Sequence, residues 1–321
     1  MLFFKKKQKT ETIAKPKHIS KQKKTVSLSG NPDIVVEKKQ LLTNKSSLEL
    51  ILAGIALGDT AGMPYEGVCV PDGFTENRMP LYSDTATFTD DTVLAVATAN
   101  TMRNLKVGMR NEEILQNFED SYVKFAKDFP AGYGLSFIDW VCKHWDPQPH
   151  IEPYNSCGNG SAMRVGPVAA FADTLDECER IAELSAAVTH NHPEGIKGAV
   201  VTAHMIFLAL YGATKEDIVA YGVNQYPEAL EYIDKPLKDR PMHLGQFRIL
   251  CQDVMPVVIA AFRDTDNFED CIHEAICYGG DTDTQAAIVG AIAGAYYKNF
   301  SEESESKWQE LKKHKLFADM L

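Results

Sequence analysis

The sequence predicts an all-α protein. Three observations carry that reading. Apolar residues recur three and four positions apart along most of the chain, runs of alternating β-branched residues are nearly absent, and the apolar segments mix in Ala and Gly, which lets helix axes approach closely. Leu48, Leu50, Ile51, Ile55 and Leu57, interleaved with Ala53, Gly54 and Ala56, predict a first helix ending near Gly58. Residues 91–102 form a second, with Val93, Leu94, Val96 and Ala97 inward. Leu175, Cys178, Ile181, Ala182, Ser185 and Val188 mark a third, and Ile196, Ala199, Val200, Ala203, Ile206, Phe207 and Leu210 a fourth. Residues 254–262 and 284–297 add two more, and Trp308, Leu311 and Leu316 place a last one. No fixed repeat period appears.

Charge divides the 321 residues unevenly. Residues 1–45 hold 12 Lys against Glu11, Asp33 and Glu37, whereas the other 276 residues hold 21 Lys and Arg against 41 Asp and Glu. The first segment has too little apolar surface to offset its ordering entropy, so it is expected to be a flexible basic N-terminal extension, 1–45, ahead of a helical domain, 46–321. Its short apolar patch, Ile34-Val35-Val36, could dock as a strand. The acidic body argues against nucleic-acid binding, because phosphate contacts need a positive field, and is compatible with bound divalent cations. The longest strongly apolar stretch, residues 286–297, is short of the ~20 residues of a membrane span, so no membrane partner is expected. Seven scattered cysteines with no CxxC pair, and an N-terminal apolar patch too short for a signal peptide, predict a soluble cytoplasmic protein.

Three short segments place oxygen-bearing side chains near helix ends: residues 58–67 (Gly58-Asp59 through Glu66-Gly67), 87–92 (with Thr89-Asp90-Asp91-Thr92) and 279–285 (with Asp281-Thr282-Asp283-Thr284). Helix capping accounts for one carboxylate per segment. It does not account for adjacent Asp90 and Asp91 or alternating Asp281 and Asp283, which repel one another at partly buried ends unless a cation sits between them. Carboxylate and hydroxyl oxygens suit Mg²⁺ or Mn²⁺, and no His/Cys set has zinc spacing. A pair of such ions can bind vicinal hydroxyls and polarise a water, which points to a metal-dependent hydrolase. A Gly-rich loop, residues 156–164, precedes an apolar run and offers backbone amides to an anion, though it matches neither common nucleotide-binding pattern. Thr189-His190-Asn191-His192 adds imidazoles at the end of a helix, where capping is the simpler role.

These motifs, in this order across about residues 48–298, resemble the ADP-ribosylglycohydrolase family, the group containing the dinitrogenase reductase-activating glycohydrolase. Gly58-Asp59 with Gly62 and Glu66 is similar to its first motif and Thr89–Thr92 to its second. Gly158–Arg164 is similar to its loop, and Thr189-His190 and Gly280–Thr284 complete the set. The resemblance implies an orthogonal multi-helix bundle with two divalent cations, Mg²⁺ or Mn²⁺, held by Thr89, Asp90, Asp91, Asp281, Asp283 and Thr284. It further implies that the ions hold the ribose hydroxyls of ADP-ribose and that Gly158, Asn159, Gly160, Ser161 and Met163 wrap the diphosphate. His190 would lie near the ribose or phosphates, and Gly132-Tyr133-Gly134 would supply a substrate loop with Tyr133. Glu66 is the candidate acid/base and Asp91 the second catalytic carboxylate; Asp59 is left structural. The implied activity is removal of ADP-ribose from modified protein side chains, arginine-linked first. Two other readings stay open. One is an immunity protein whose basic arm docks on an ADP-ribosyltransferase toxin, with hydrolysis secondary. The other is a metal phosphohydrolase acting on a free nucleotide.

Overall fold

The computed structural model describes residues 26–27, 35–36, 46–67, 80–145, 151–232, 247–318 and 320–321. The helical expectation holds. Thirteen α-helices follow one another among these residues: α1 Ser47–Gly62, α2 Asp90–Asn104, α3 Asn111–Asp128, α4 Leu135–Lys143, α5 Gly160–Arg164, α6 Pro167–Phe171, α7 Leu175–Ala187, α8 Pro193–Tyr211, α9 Lys215–Gln225, α10 Cys251–Arg263, α11 Phe268–Tyr278, α12 Thr282–Tyr297 and α13 Glu302–Leu311. Extended pairing among the described residues is limited to a two-residue antiparallel ladder, Val26–Ser27 against Val35–Val36, and an isolated bridge between Gly158 and Leu250. Val35-Val36 thus pairs within the basic segment. The rest of that segment lies outside the described residues, as do the flexibility and toxin docking expected of it.

The centre of the fold is the pair α1 and α12. Residues 50–62 of α1 and 282–295 of α12 are all buried, as helices without a solvent-facing polar stripe must be. Their backbones touch. A Cβ added to Gly54 would lie 2.1 Å from the Gly290 carbonyl oxygen, one on Gly58 2.1 Å from the Ala286 oxygen, and one on Gly62 2.3 Å from the Thr282 oxygen. The pairing runs 54 to 290, 58 to 286 and 62 to 282, so the helices are antiparallel in register and the last turn of α1 meets the first turn of α12. Gly58→Ala has only a rigid carbonyl to displace. It is expected to cost about 3 kcal/mol or to abolish folding, read as a lowered thermal midpoint.

The remaining helices wrap this pair. α8 begins at Pro193 behind a His192 cap, whose Nδ1 accepts the Glu194 N–H at 3.1 Å, and ends at Gly212 in the left-handed region, φ 82°. It is the one described helix long and apolar enough to match a membrane span, although 78% of its apolar window is buried against its neighbours, as in a core helix. Two boundaries differ from the expectation. The first helix continues through Gly62, so Asp59 lies in its last turn rather than after it. The last helix stops at Leu311, and Leu316 falls on a separate 3₁₀ turn, Lys315–Phe317.

Candidate active site

Asp59 sits at the C-terminal end of α1, where the helix dipole disfavours a carboxylate. The N-terminus of α2 compensates. Both Asp59 oxygens accept there, from the Thr89 and Thr92 N–H groups (2.9 to 3.1 Å) and from the Thr89 and Thr92 hydroxyls (2.9 and 2.6 Å). A residue of another helix therefore caps α2, and Thr89, the N-cap by position, makes no side-chain cap bond of its own. Nor does Asp281 at the start of α12. The capping account of the acidic segments fails at both helix starts, and Asp59 takes the structural role expected of it.

With α2 aimed at the end of α1 and α12 packed alongside, the aspartates converge. Carboxylate oxygens of Asp59, Asp91 and Asp283 lie within 4.8 Å of one another, and so do those of Glu66, Asp281 and Asp283. Asp283 belongs to both sets. Asp91 Oδ2 faces the hydroxyls of Thr89 at 3.2 Å and Thr284 at 3.4 Å, while its buried Oδ1 has no partner among the described residues. Asp281 Oδ2 accepts from the Asn159 amide at 2.6 Å. Asp90 is half-buried at the edge of the cluster and faces Gly132. Glu66, exposed just past a 3₁₀ turn, is held at the mouth by Gly67 N–H donating to the Gly280 oxygen at 2.9 Å.

Burial raises the pKa of every aspartate in the group. Asp59 is pushed up to about 7, by burial first and by Asp283 next. Asp90 is pushed up to about 8, by burial and then by Asp59 and Asp283. Asp91 and Asp283 are held well above the carboxylate range and Asp281 above it, each by burial first. No Lys or Arg pairs with these aspartates among the described residues. An all-oxygen donor set with unbalanced negative charge and an orphaned carboxylate oxygen fits hard divalent cations.

The cluster forms one end of a cavity of about 600 Å³, a volume suited to a nucleotide-sized ligand. Glu66, Thr89, Asp90, Asp91, Asp281, Asp283 and Thr284 line that end, and Gly158, Asn159, Gly160, Met163 and His190 line the side beyond it. Two expected residues are not in the wall. Tyr133 turns its hydroxyl to the Phe129 oxygen at 2.7 Å and packs on Phe137, leaving Gly132 and Gly134 to face the cavity. Ser161 is fully buried and donates to the Gly195 oxygen at 2.7 Å, tying α5 to α8. In the Gly-rich loop, the Gly158 amide is engaged by Ser156 Oγ and the Asn159 amide by the Ile249 oxygen, so neither is left for an anion. Tyr154, Phe247 and Ile249 also line the cavity and were not anticipated; nothing in their local sequence marks them, since distant packing brings them there.

His190 is not a helix cap through its ring. Its Nδ1 lies 2.7 Å from Thr189 Oγ1, and that oxygen accepts from Arg164 Nη2 at 2.7 Å. Burial, then the nearby Arg164 charge, keeps the imidazole pKa well below its usual value, so the ring is neutral.

A family model described as ADP-ribosylglycohydrolase matches residues 45–312. The chain is similar to ADP-ribosylhydrolase ARH3 of Gallus gallus, 27% identical over 81% of this chain and 87% of that protein. It is also similar to ADP-ribosylarginine hydrolase Tri1 of Pseudomonas putida (strain GB-1), 25% identical over 77% of this chain and 69% of that one. A solved structure described as an ADP-ribosylglycohydrolase-related protein complex shares the fold, with a TM-score of 0.63, 22% identity, and coverage of 84% of this chain and 95% of that chain.

Proposed function

The chain belongs to the ADP-ribosylglycohydrolase family, a family of glycosidic-bond hydrolases, and from that premise we propose that it removes ADP-ribose from modified protein side chains with the help of two divalent cations, Mg²⁺ or Mn²⁺. The observation that carries the proposal is the set of buried, mutually repelling aspartates without a cationic partner at one end of a nucleotide-sized cavity. Thr89, Asp90, Asp91, Asp281, Asp283 and Thr284 would hold the ions. Bound there, the ions would supply positive charge for the vicinal hydroxyls of a ribose and for a water. An arginine linkage is proposed first, since one similar protein carries that activity in its name. A reducing cytoplasm is proposed as the setting, consistent with the lack of a disulfide among the six described cysteines.

The chain's own groups act on charge and protons. As the bond at ribose C1 breaks, the sugar gains oxocarbenium character, which the negative field of Asp91 and its neighbours favours. Glu66 is the acid/base: exposed at the mouth, close to Asp281 and Asp283, it takes a proton from the attacking water, whose oxygen bonds to C1, and returns that proton to the departing side-chain nitrogen. Glu66→Gln is expected to lower kcat by about 10²- to 10³-fold and to leave the cation-induced rise in thermal midpoint in place. Loss of that rise together with activity would make Glu66 a ligand and remove it from the acid/base role.

Incubation with ADP-ribosylated arginine and serine substrates, with and without EDTA, tests the function. The expected result is release of free ADP-ribose that stops when EDTA is added. Release of phosphate instead would identify a phosphohydrolase, and no release from any linkage would refute the assignment.

A further inference from the structure

In the wall of the cavity lies a buried cation with no acidic partner among the described residues. Arg164 is fully buried, stacks its guanidinium 4.2 Å above the Tyr122 ring, and donates from Nη2 to the Ser185 oxygen and to Thr189 Oγ1. Its Nε and Nη1 have no partner among the described residues. A lone buried guanidinium is expensive, so its retention calls for a compensating negative group. None is present at that place among the described residues. Two side chains connect Arg164 to the His190 ring on the same wall.

An arginine can only donate, so Thr189 Oγ1 is an acceptor toward Arg164. The Arg164 charge on that oxygen also makes the Thr189 O–H a stronger donor and disfavours a second N–H pointing at it. The Thr189 proton is therefore directed to His190 Nδ1, 2.7 Å away. With Nδ1 accepting, the ring proton resides on Nε2. That nitrogen has no partner among the described residues, and it faces the loop: a Cβ built on Gly160 would lie 3.0 Å from it and one on Gly158 3.7 Å. Both glycines and His190 line the cavity.

We propose that Arg164 and Thr189 are positioning residues that fix His190 as its Nε2–H tautomer, making it a neutral donor to an anionic oxygen of the bound nucleotide. The buried Arg164 charge polarises the hydroxyl and the imidazole in series and so strengthens the Nε2–H donor. The proposal rests on the function above only in taking the occupant to be an ADP-ribosyl group.

Two-bond ¹⁵N correlation spectra of the full chain labelled at histidine, recorded at pH 7, test the tautomer directly. The expected spectrum for His190 is a neutral ring protonated at Nε2; an Nδ1–H ring or an imidazolium overturns the proposal. Thr189→Val keeps the shape and removes the hydroxyl. It is expected to shift the ring toward a mixture of tautomers and to weaken ADP-ribose binding, measured by calorimetry in EDTA, by about tenfold, the loss of one hydrogen bond to a charged group. Thr189→Ser is expected to restore both readouts to within about twofold of the native chain. Unchanged ADP-ribose affinity in Thr189→Val overturns the proposal. If the valine variant does not fold, the native and serine spectra still decide it. A native ring protonated at Nε2 in a protein that releases no ADP-ribose would support the relay while defeating the assigned activity, so the two failures are distinct.

Discussion

Asp283→Asn is expected to abolish activity and to stabilise the cation-free protein. Asp283 is the one carboxylate common to both donor sets, and burial together with Asp281 and Glu66 holds its pKa well above the ordinary range. Asparagine keeps the shape and keeps an oxygen for the Thr284 N–H, which now bonds Asp283 Oδ1 at 2.9 Å. What it removes is charge. In EDTA that relieves repulsion among buried aspartates and is expected to raise stability by on the order of 1 kcal/mol. With Mg²⁺ or Mn²⁺ present the same change removes a ligand, so hydrolysis is expected to fall by about 10³-fold or more and the cation-induced rise in thermal midpoint to vanish. Asp59→Asn is the contrasting variant. Asp59 accepts from four donor groups, the N–H and hydroxyl of Thr89 and of Thr92, at the start of α2, so its loss should lower stability in EDTA, by about 1–3 kcal/mol. Thermal unfolding of the two variants in EDTA separates a cation ligand from a helix cap. A destabilised Asp283→Asn would show that the chain itself compensates that charge.

The second large effect is on pH. Asp59 titrates at about 7 and Asp90 at about 8 in the folded protein, raised first by burial, against about 4 in an unfolded chain. Between those values the folded state holds protons that the unfolded state has released, so the stability of the cation-free protein declines as pH rises. The contribution is complete near pH 4 and is lost as pH climbs through 7 and 8. In EDTA the thermal midpoint is therefore expected to drop by on the order of 5 °C or more between pH 5 and pH 8. Cations bind the deprotonated carboxylates, so saturating Mg²⁺ or Mn²⁺ should flatten or reverse that slope. A midpoint in EDTA that rises steadily to pH 8 would mean the aspartates are balanced by groups of the chain and would sink the cation site.

Much of the fold was legible because helical periodicity is a local signal. The stretches around Leu50, Val93, Ile181, Phe207 and Val257 all lie in helices. α3 was missed although Ile114, Phe118, Tyr122 and Phe125 have the same spacing and are buried; there the pattern was present and unread. Tyr133 and Ser161 lie outside the cavity wall for a different reason. Both sit in motifs that do form the site, but the direction of a side chain depends on what lies across from it, Phe129 and Phe137 for one and Gly195 on α8 for the other.

By itself the sequence determined the helical class, the family, and the excess of carboxylates at two helix starts, since Asp90-Asp91 and Asp281-Thr282-Asp283 carry more charge than capping uses. It also held, unread, the pairing of Gly54, Gly58 and Gly62 with the turns of α12 that seats the end of one helix on the start of the other. Only the tertiary structure decided that Asp59 caps α2, that Asp283 is shared by both donor sets, and that Arg164 and His190 meet at the Thr189 hydroxyl. Those outcomes turn on distances of a few ångströms between residues up to more than two hundred positions apart, set by helix packing and left unencoded in any one stretch of chain.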